Sequence, residues 1–287
     1  MESAENAPTL DGVLAKLWRA QKHLAELNRE VTHYIQSRPY VPVIESYPEP
    51  EIATESDWVA FGVVARHVRP LPECIYLSAG DAVHNIRAAL DYLAWQLVRS
   101  SDQIPGKRTE FPILRNQPKN RDRNGVPIMM DPHPNGRAAA LLDSKWLQPY
   151  HAREPEKHPL FVLYDLDRID KHRHLSIITS AAGAGRTILH LPDGRSVERP
   201  YKGIYVRRDA GWYAHAFKDG APLGSFARSE VGAAQYGEVH VDCEIAIQVT
   251  LGELRPHDDP SAPIADQIRS LHDFVRDKVV SLFAPLF

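Results

Sequence analysis

Only two cysteines occur in 287 residues, Cys74 and Cys243, far apart and without metal-type spacing. That scarcity argues against a disulfide scaffold and for a reducing compartment. Long apolar runs are missing too: none approaches the roughly 18 residues that a membrane helix needs. The opening MESAENAPTLDG has no basic segment followed by an apolar one, so no signal peptide is expected. Excess charge is also lacking. A formal net charge of −3 gives no global basic field for nucleic acid, though it leaves room for a local basic cleft. No glycine-rich phosphate loop follows a strand, and neither Gly-x-Ser-x-Gly nor His-Glu-x-x-His occurs. AAGAG at 181–185 is small and flexible but lacks Rossmann or P-loop spacing. What remains is the expectation of a cytoplasmic, bacterial-type protein with no membrane partner and no cofactor implied.

Hydrophobic residues make up 43% and charged residues 25%, the balance of an ordinary folded chain long enough for one large domain or two small ones. Apolar residues at helical spacing predict helices over 12–37, 73–100, 137–147, 160–171 and 263–284. Two β-branched stretches, Val41–Tyr47 and Asp57–Arg69, predict strands, and Glu110–Leu114 is a short strand-like piece. Residues 101–135 are otherwise loop-rich, which suits either a binding loop or a plain surface excursion. From Gly185 onward, short β-like segments alternate with turns. In the last of them Val239, Val241, Cys243, Ile245, Ile247, Val249 and Leu251 share one face. The expected class is α+β: a helical bundle, an antiparallel sheet in the C-terminal half, and a C-terminal helix packing back on the bundle. Its divisions fall at 1–184 (helical, with inserted strands), 185–252 (β) and 253–287 (linker and helix).

The most informative stretch is Ser78–Arg99. On a helix, Val83, Ile86, Leu90, Leu93 and Leu97 form one apolar stripe. Asp81, His84, Arg87 and Asp91 fall on its flank, three or four residues apart, within mutual reach. A carboxylate beside His84 would fix its tautomer, and Arg87 beside Asp91 forms a charge-assisted pair. In a functional reading His84 is a general acid or base and Arg87 binds an anion. In a structural reading the four residues are a salt-bridge network that fixes a helix crossing.

The second block is Asp170-Lys171-His172-Arg173-His174. Cations at a helix C-terminus are favoured by the helix dipole, which is its structural reading. Its functional reading is an anion site in which Lys171, His172 and Arg173 hold a phosphate while His172 or His174 titrates. Together the two blocks supply what acid–base chemistry around a phosphodiester requires. A metal site is the other chemical option, because Asp81-x-x-His84 has the i, i+3 spacing of carboxylate and histidine ligands, with Asp170 and His174 as a second pair.

The pair Gly80–Leu97 (GDAVHNIRAALDYLAWQL) and Asp167–Leu175 (DRIDKHRHL) resembles a group of bacterial proteins of similar length that share Gly-Asp-x-x-His-Asn-x-Arg-x-x-Leu-Asp followed later by Asp-Lys-His-Arg. That group carries no activity to transfer. A more distant resemblance is to HEPN domains, helical bundles found in RNases, toxins and phage-defence proteins. Arg87-Ala-Ala-Leu-Asp91 is similar to the Arg-x-x-Leu-Asp of their early helices. Arg168 and His174, with five residues between them, match the spacing of their catalytic Arg and His. The resemblance implies metal-independent RNA cleavage with the 2′-hydroxyl as nucleophile, Arg168 and His174 (or His172) in the site, and a homodimer.

The expectation is a HEPN-like protein acting on RNA or another phosphate-bearing ligand. Its catalytic candidates are His84, Arg87, Asp91, Arg168, His172 and His174, and its ligand-binding candidates are Asp81, Asn85, Asp170, Lys171 and Arg173. Two alternatives stand beside it: a non-catalytic binding or assembly protein whose polar blocks are structural, and a metal-dependent enzyme that uses Asp81 and His84 as ligands.

Overall fold

Helical periodicity builds the first layer. In α1 (Asp11–Gln36) Val13, Leu17, Leu24, Leu27 and Val31 recur on one buried face. They pack against α2 (Glu73–Arg99), whose Val83, Ile86, Leu90, Leu93 and Leu97 are completely buried. Pro72 precedes α2, and Glu73 and Arg99 sit at the ends where the helix dipole favours their charges. The short α3 (Gly136–Leu142) and α4 (Pro159–Asp170) join this core, with Pro159 at the first turn of α4, where its missing N–H is no loss. The computed structural model describes residues 7–47, 58–173, 175–201, 205–208, 211–214, 217–251 and 262–287.

The strands form a mixed α+β fold with these helices. β1 (Val41–Ser46) and β2 (Val59–Arg66) pair antiparallel. β3 (Ile177–His190) lies between β4 (Ser196–Pro200) and the last strand, and β5 (Tyr205–Arg208) pairs with β6 (Gly211–Ala214). β7 (Pro222–Ala227) runs into the short α5 (Arg228–Val231), and β8 (His240–Leu251) closes the β part. The two three-stranded antiparallel sheets have the orders β1-β2-β7 and β4-β3-β8. They share one apolar core that includes Phe61, Val63, Leu189, Leu223, Phe226 and Ile247. The Thr187 hydroxyl crosses between them, donating to the Leu223 carbonyl at 2.7 Å. The C-terminal segment, α6 (Ile264–Phe274) followed by a π-helical stretch (Val275–Val280) and α7 (Ser281–Phe283), returns to the helical core. There His272, almost fully buried, lies 3.2 Å from the Leu17 carbonyl of α1. Among the described residues no helix is long and apolar enough to cross a membrane.

Several local expectations are corrected. β2, from the inserted strands of 1–184, bonds to β7 of the β part, with β1 on its other edge. The first strand of the β part begins before Gly185, at Ile177, and the AAGAG segment lies inside it. Glycine at 185 is required there by close approach, since a Cβ would lie 2.8 Å from the Ile245 Cα on β8. Glu110–Leu114 is not a strand. Its backbone is satisfied by helix side chains and loop groups, with Gln148 donating to Pro112 O at 3.0 Å and Tyr150 N–H to Leu114 O at 3.1 Å. The third helix ends at Leu142 rather than 147. The linker expected at the start of 253–287 falls largely outside the described residues.

One loop histidine sets a pH-dependent prediction. Both ring nitrogens of His133 are buried without hydrogen-bond partners among the described residues, and burial holds its pKa below the usual 6.5. The unfolded chain therefore takes up this proton first as pH falls. The stability carried by neutral His133 is complete above pH 6.5 and is lost as pH drops toward the folded value. Melting temperature should fall less between neutral and mildly acidic buffer in His133→Leu than in the wild type. Parallel pH profiles would refute this.

Candidate functional site

The two motif-bearing helices meet because α2 offers a smooth face to α4. Ala79, Gly80, Ala82 and Val83 are all buried. Gly80 lies directly under the Asp170 carboxyl group: a Cβ at position 80 would lie 2.8 Å from the Asp170 Cγ. The glycine of the first block is thus matched to the first acid of the second. Gly80→Ala should lower stability by about 1–2 kcal/mol from overpacking, although alanine is the better helix former by about 1 kcal/mol. In an Asp170→Ala background the same change should turn neutral or stabilising. A double-mutant cycle by chemical denaturation reads the difference, and strict additivity would refute the contact.

One turn along α2, His84 faces α4. Its Nδ1 lies 3.1 Å from the Asp167 Oδ1. The other carboxylate oxygen lies 2.7 Å from the Lys171 Nζ, one turn further along α4. Asp167 is only 4% exposed, while the His84 side chain is 53% exposed. A buried carboxylate therefore fixes the ring through Nδ1. No partner for Nε2 occurs among the described residues. With Nδ1–H donated to the carboxylate, Nε2 is left as a proton acceptor on the open side.

Arg87 and Asp91 do different work. Arg87 is buried; its Nη2 donates to the Phe111 carbonyl at 3.1 Å. Asp91 Oδ1 accepts from the Phe111 amide at 2.9 Å. Arg87 Nη1 lies 2.8 Å from that same oxygen, at an angle that makes an ion pair rather than a hydrogen bond. The i, i+4 pair thus holds both backbone groups of one residue, in the manner of a neighbouring strand. The Phe111 ring is buried, edge-on to Phe283 with centroids 6.3 Å apart. Burial pushes the Asp91 carboxyl up; the charge of Arg87, the Phe111 amide bond and, more weakly, Lys171 act in the opposite direction. Through Lys171 the two halves of the cluster share one field.

His84, Asp170 and Lys171 therefore gather along the α2–α4 boundary, while Arg87 and Asp91 lie next along α2 and hold Phe111. The other candidates lie elsewhere. Asp81 turns to α1, 3.9 Å from the His23 Nδ1, so the carboxylate beside His84 is Asp167 instead. Asn85 bonds back to the Asp81 carbonyl at 2.8 Å and faces the α1 side. Arg168 is exposed and donates to Asp165 at 2.6 Å. With Arg115 and Arg173 it lines a separate cleft of about 460 Å³ between α4 and the end of β8. His172 is exposed just beyond the end of α4, and His174 lies outside the described residues. Among the described residues no three His, Cys, Asp or Glu side chains converge as a metal ligand set, and Asp81 and His84 have different neighbours. Asp167 and Phe111 were missed as site members. A carboxylate one turn before Lys171 was the only available sign of the first, and a backbone partner leaves no sign in sequence.

Comparison with protein-family models, with curated proteins and with solved structures returned no match.

Proposed function

We propose that this chain acts on RNA, or on a closely related phosphate-bearing ligand, by metal-independent acid–base chemistry centred on His84, and that its helical half is HEPN-like. The observation that carries the reading is the His84–Asp167 pair: a half-exposed imidazole held from behind by a buried carboxylate. Such a pairing presents one ring nitrogen to a substrate while the other is fixed. In the proposed step, His84 Nε2 takes the proton of a ribose 2′-hydroxyl. That oxygen attacks the adjacent phosphorus, the bond to the 5′-oxygen breaks, and the leaving oxygen takes a proton from water. Lys171, beside Asp167, adds positive charge near the phosphate. The grouping of α1, α2, α4 and α6 in one core supports the HEPN-like reading. The Arg168–His174 pair implied by the resemblance is not adopted, because Arg168 turns to Asp165 on the cleft side of α4.

The test is incubation of the purified chain with a ribo-oligonucleotide and with its all-deoxy counterpart, in the presence of a chelator. Cleavage of the ribose strand alone, leaving a cyclic 2′,3′-phosphate, is the expected result. Equal cleavage of both strands, or of neither, would overturn the proposed chemistry.

A second reading has its own observation. The Arg87–Asp91 hold on Phe111 is internal, with Arg87 buried and Asp91 partly so, and it favours a structural role for that half of the cluster whatever His84 does.

A further inference from the structure

Large apolar side chains are concentrated on one outward face of the helical layer. Leu14 and Trp18 of α1 and Tyr92 and Trp95 of α2 are 49%, 58%, 47% and 43% exposed. Single exposed apolar residues are unremarkable, but Trp18 and Tyr92 line one groove between two packed helices, and a shared exposed surface of that kind marks a contact site. This one is threaded with cations. Lys22 Nζ sits 3.7 Å from the Trp18 ring centroid and Lys16 Nζ 5.7 Å from that of Tyr92. Between the helices runs a shallow groove of about 300 Å³ whose lining includes Lys16, Trp18, Arg19, Asn85 and Tyr92, with no carboxylate side chain. The Tyr92 ring is seated rather than loose: it packs onto Gly12, where a Cβ would lie 2.6 Å from its Cδ1.

From this placement we infer that the α1–α2 groove is a binding track for single-stranded nucleic acid, with bases stacked on Trp18 and Tyr92 and phosphates met by Lys16, Arg19 and Lys22. The charge argument selects the occupant. Flat aromatic faces interleaved with cations, and no acid in the lining, complement a polyanion that carries stackable rings. Asn85 adds a side-chain carbonyl acceptor and a second N–H donor, the first being given to the Asp81 carbonyl. The track leads to the site: Tyr92 lies eight residues beyond His84 on the same helix, about 12 Å along its axis. The inference rests on the RNA reading above and supplies its binding surface.

The experiment measures binding apart from chemistry. A labelled all-deoxy 12-mer, which offers no 2′-hydroxyl, is titrated with the full chain and followed by fluorescence anisotropy. Trp18→Ala and Tyr92→Leu should each weaken binding by about 5- to 100-fold. The melting temperature should stay unchanged in Trp18→Ala, where the tryptophan is 58% exposed, and fall slightly in Tyr92→Leu, which loses the packing on Gly12. The logarithm of affinity should fall with the logarithm of salt with a slope of about −2, as three phosphate contacts on a single strand require. Unchanged affinity in both variants overturns the track. So does a Trp18→Ala chain that converts from dimer to monomer without losing the oligonucleotide, because the face is then a self-association surface. The two proposals fail separately. Trp18-dependent binding with no RNA cleavage upholds the track and removes the chemistry; cleavage with Trp18-independent binding does the reverse.

Discussion

Arg87→Ala is expected to destabilise the protein by about 2–3 kcal/mol, just under the range for breaking a fully buried ion pair, because Asp91 keeps 36% exposure. The reason lies in what is left behind. Arg87 is 5% exposed, and its loss leaves the Phe111 carbonyl without its donor and Asp91 without its nearest cation. The aliphatic part of the side chain is lost as well, with its packing. Arg87→Lys should fall in between, because an ammonium keeps the charge but cannot reach the carbonyl and the carboxylate through one planar fork. The deficit should also depend on pH. Burial already holds the Asp91 carboxyl above the usual carboxylate value, and Arg87 is the largest influence in the opposite direction. Without Arg87 the folded value rises further above the unfolded one. A group shifted in that direction stabilises the fold most below its unfolded pKa, and that contribution is lost as pH rises through the folded pKa. The penalty of Arg87→Ala should therefore be larger near pH 7 than near pH 4. Urea unfolding at both values reads it. A loss below about 0.5 kcal/mol, as at an ordinary surface site, would show that Phe111 is not held in this way.

The same pair shows where sequence reading stops. Periodicity made the α2 core stripe plain, because Val83, Ile86, Leu90, Leu93 and Leu97 need only a helix and one apolar neighbour to be recognised. Alternation did the same for β8, where Ile247, Val249 and Leu251 are buried. Both are local patterns. The pairing of β2 with β7 joins Val59 to Ala227, and nothing in either segment names the other. Side-chain partners divide in the same way. The Arg87–Asp91 pair is one helical turn apart and was legible. The His84–Asp167 contact spans 83 residues, and helical spacing pointed to Asp81, which turns to His23 instead. Phe111 was beyond reach for another reason: its part is played by the backbone amide and carbonyl, which every residue except proline possesses. Glu110–Leu114 looked strand-like because Phe111, Ile113 and Leu114 crowd a short segment, yet its neighbours are Arg87, Asp91 and Gln148 rather than a strand.

His84→Ala is the complementary case and should abolish most activity with a smaller effect on stability than Arg87→Ala. Its side chain is 53% exposed and Asp167 keeps Lys171 as a partner, so the change in unfolding free energy should be about 1 kcal/mol, the loss of one hydrogen bond to a buried carboxylate. Loss of a positioned proton-transfer group lowers the rate by about 10²- to 10⁴-fold, and that is the drop expected for cleavage of a ribose strand. Asp167→Asn should behave differently from both variants. The amide keeps the shape but removes the charge that His84 and Lys171 share, and it can donate where the carboxylate only accepts, which permits the other histidine tautomer. Its activity should fall less than that of His84→Ala, and its stability should fall more, because the group is buried. The three variants therefore separate the roles within one cluster: Arg87 in stability, His84 in rate, Asp167 in both. If His84→Ala instead unfolds as easily as Arg87→Ala, the imidazole is another structural link between α2 and α4, and the acid–base reading of the junction falls. If it keeps both full stability and full activity, the proton-transfer group lies elsewhere, and the exposed His172 beyond the end of α4 becomes the first residue to replace.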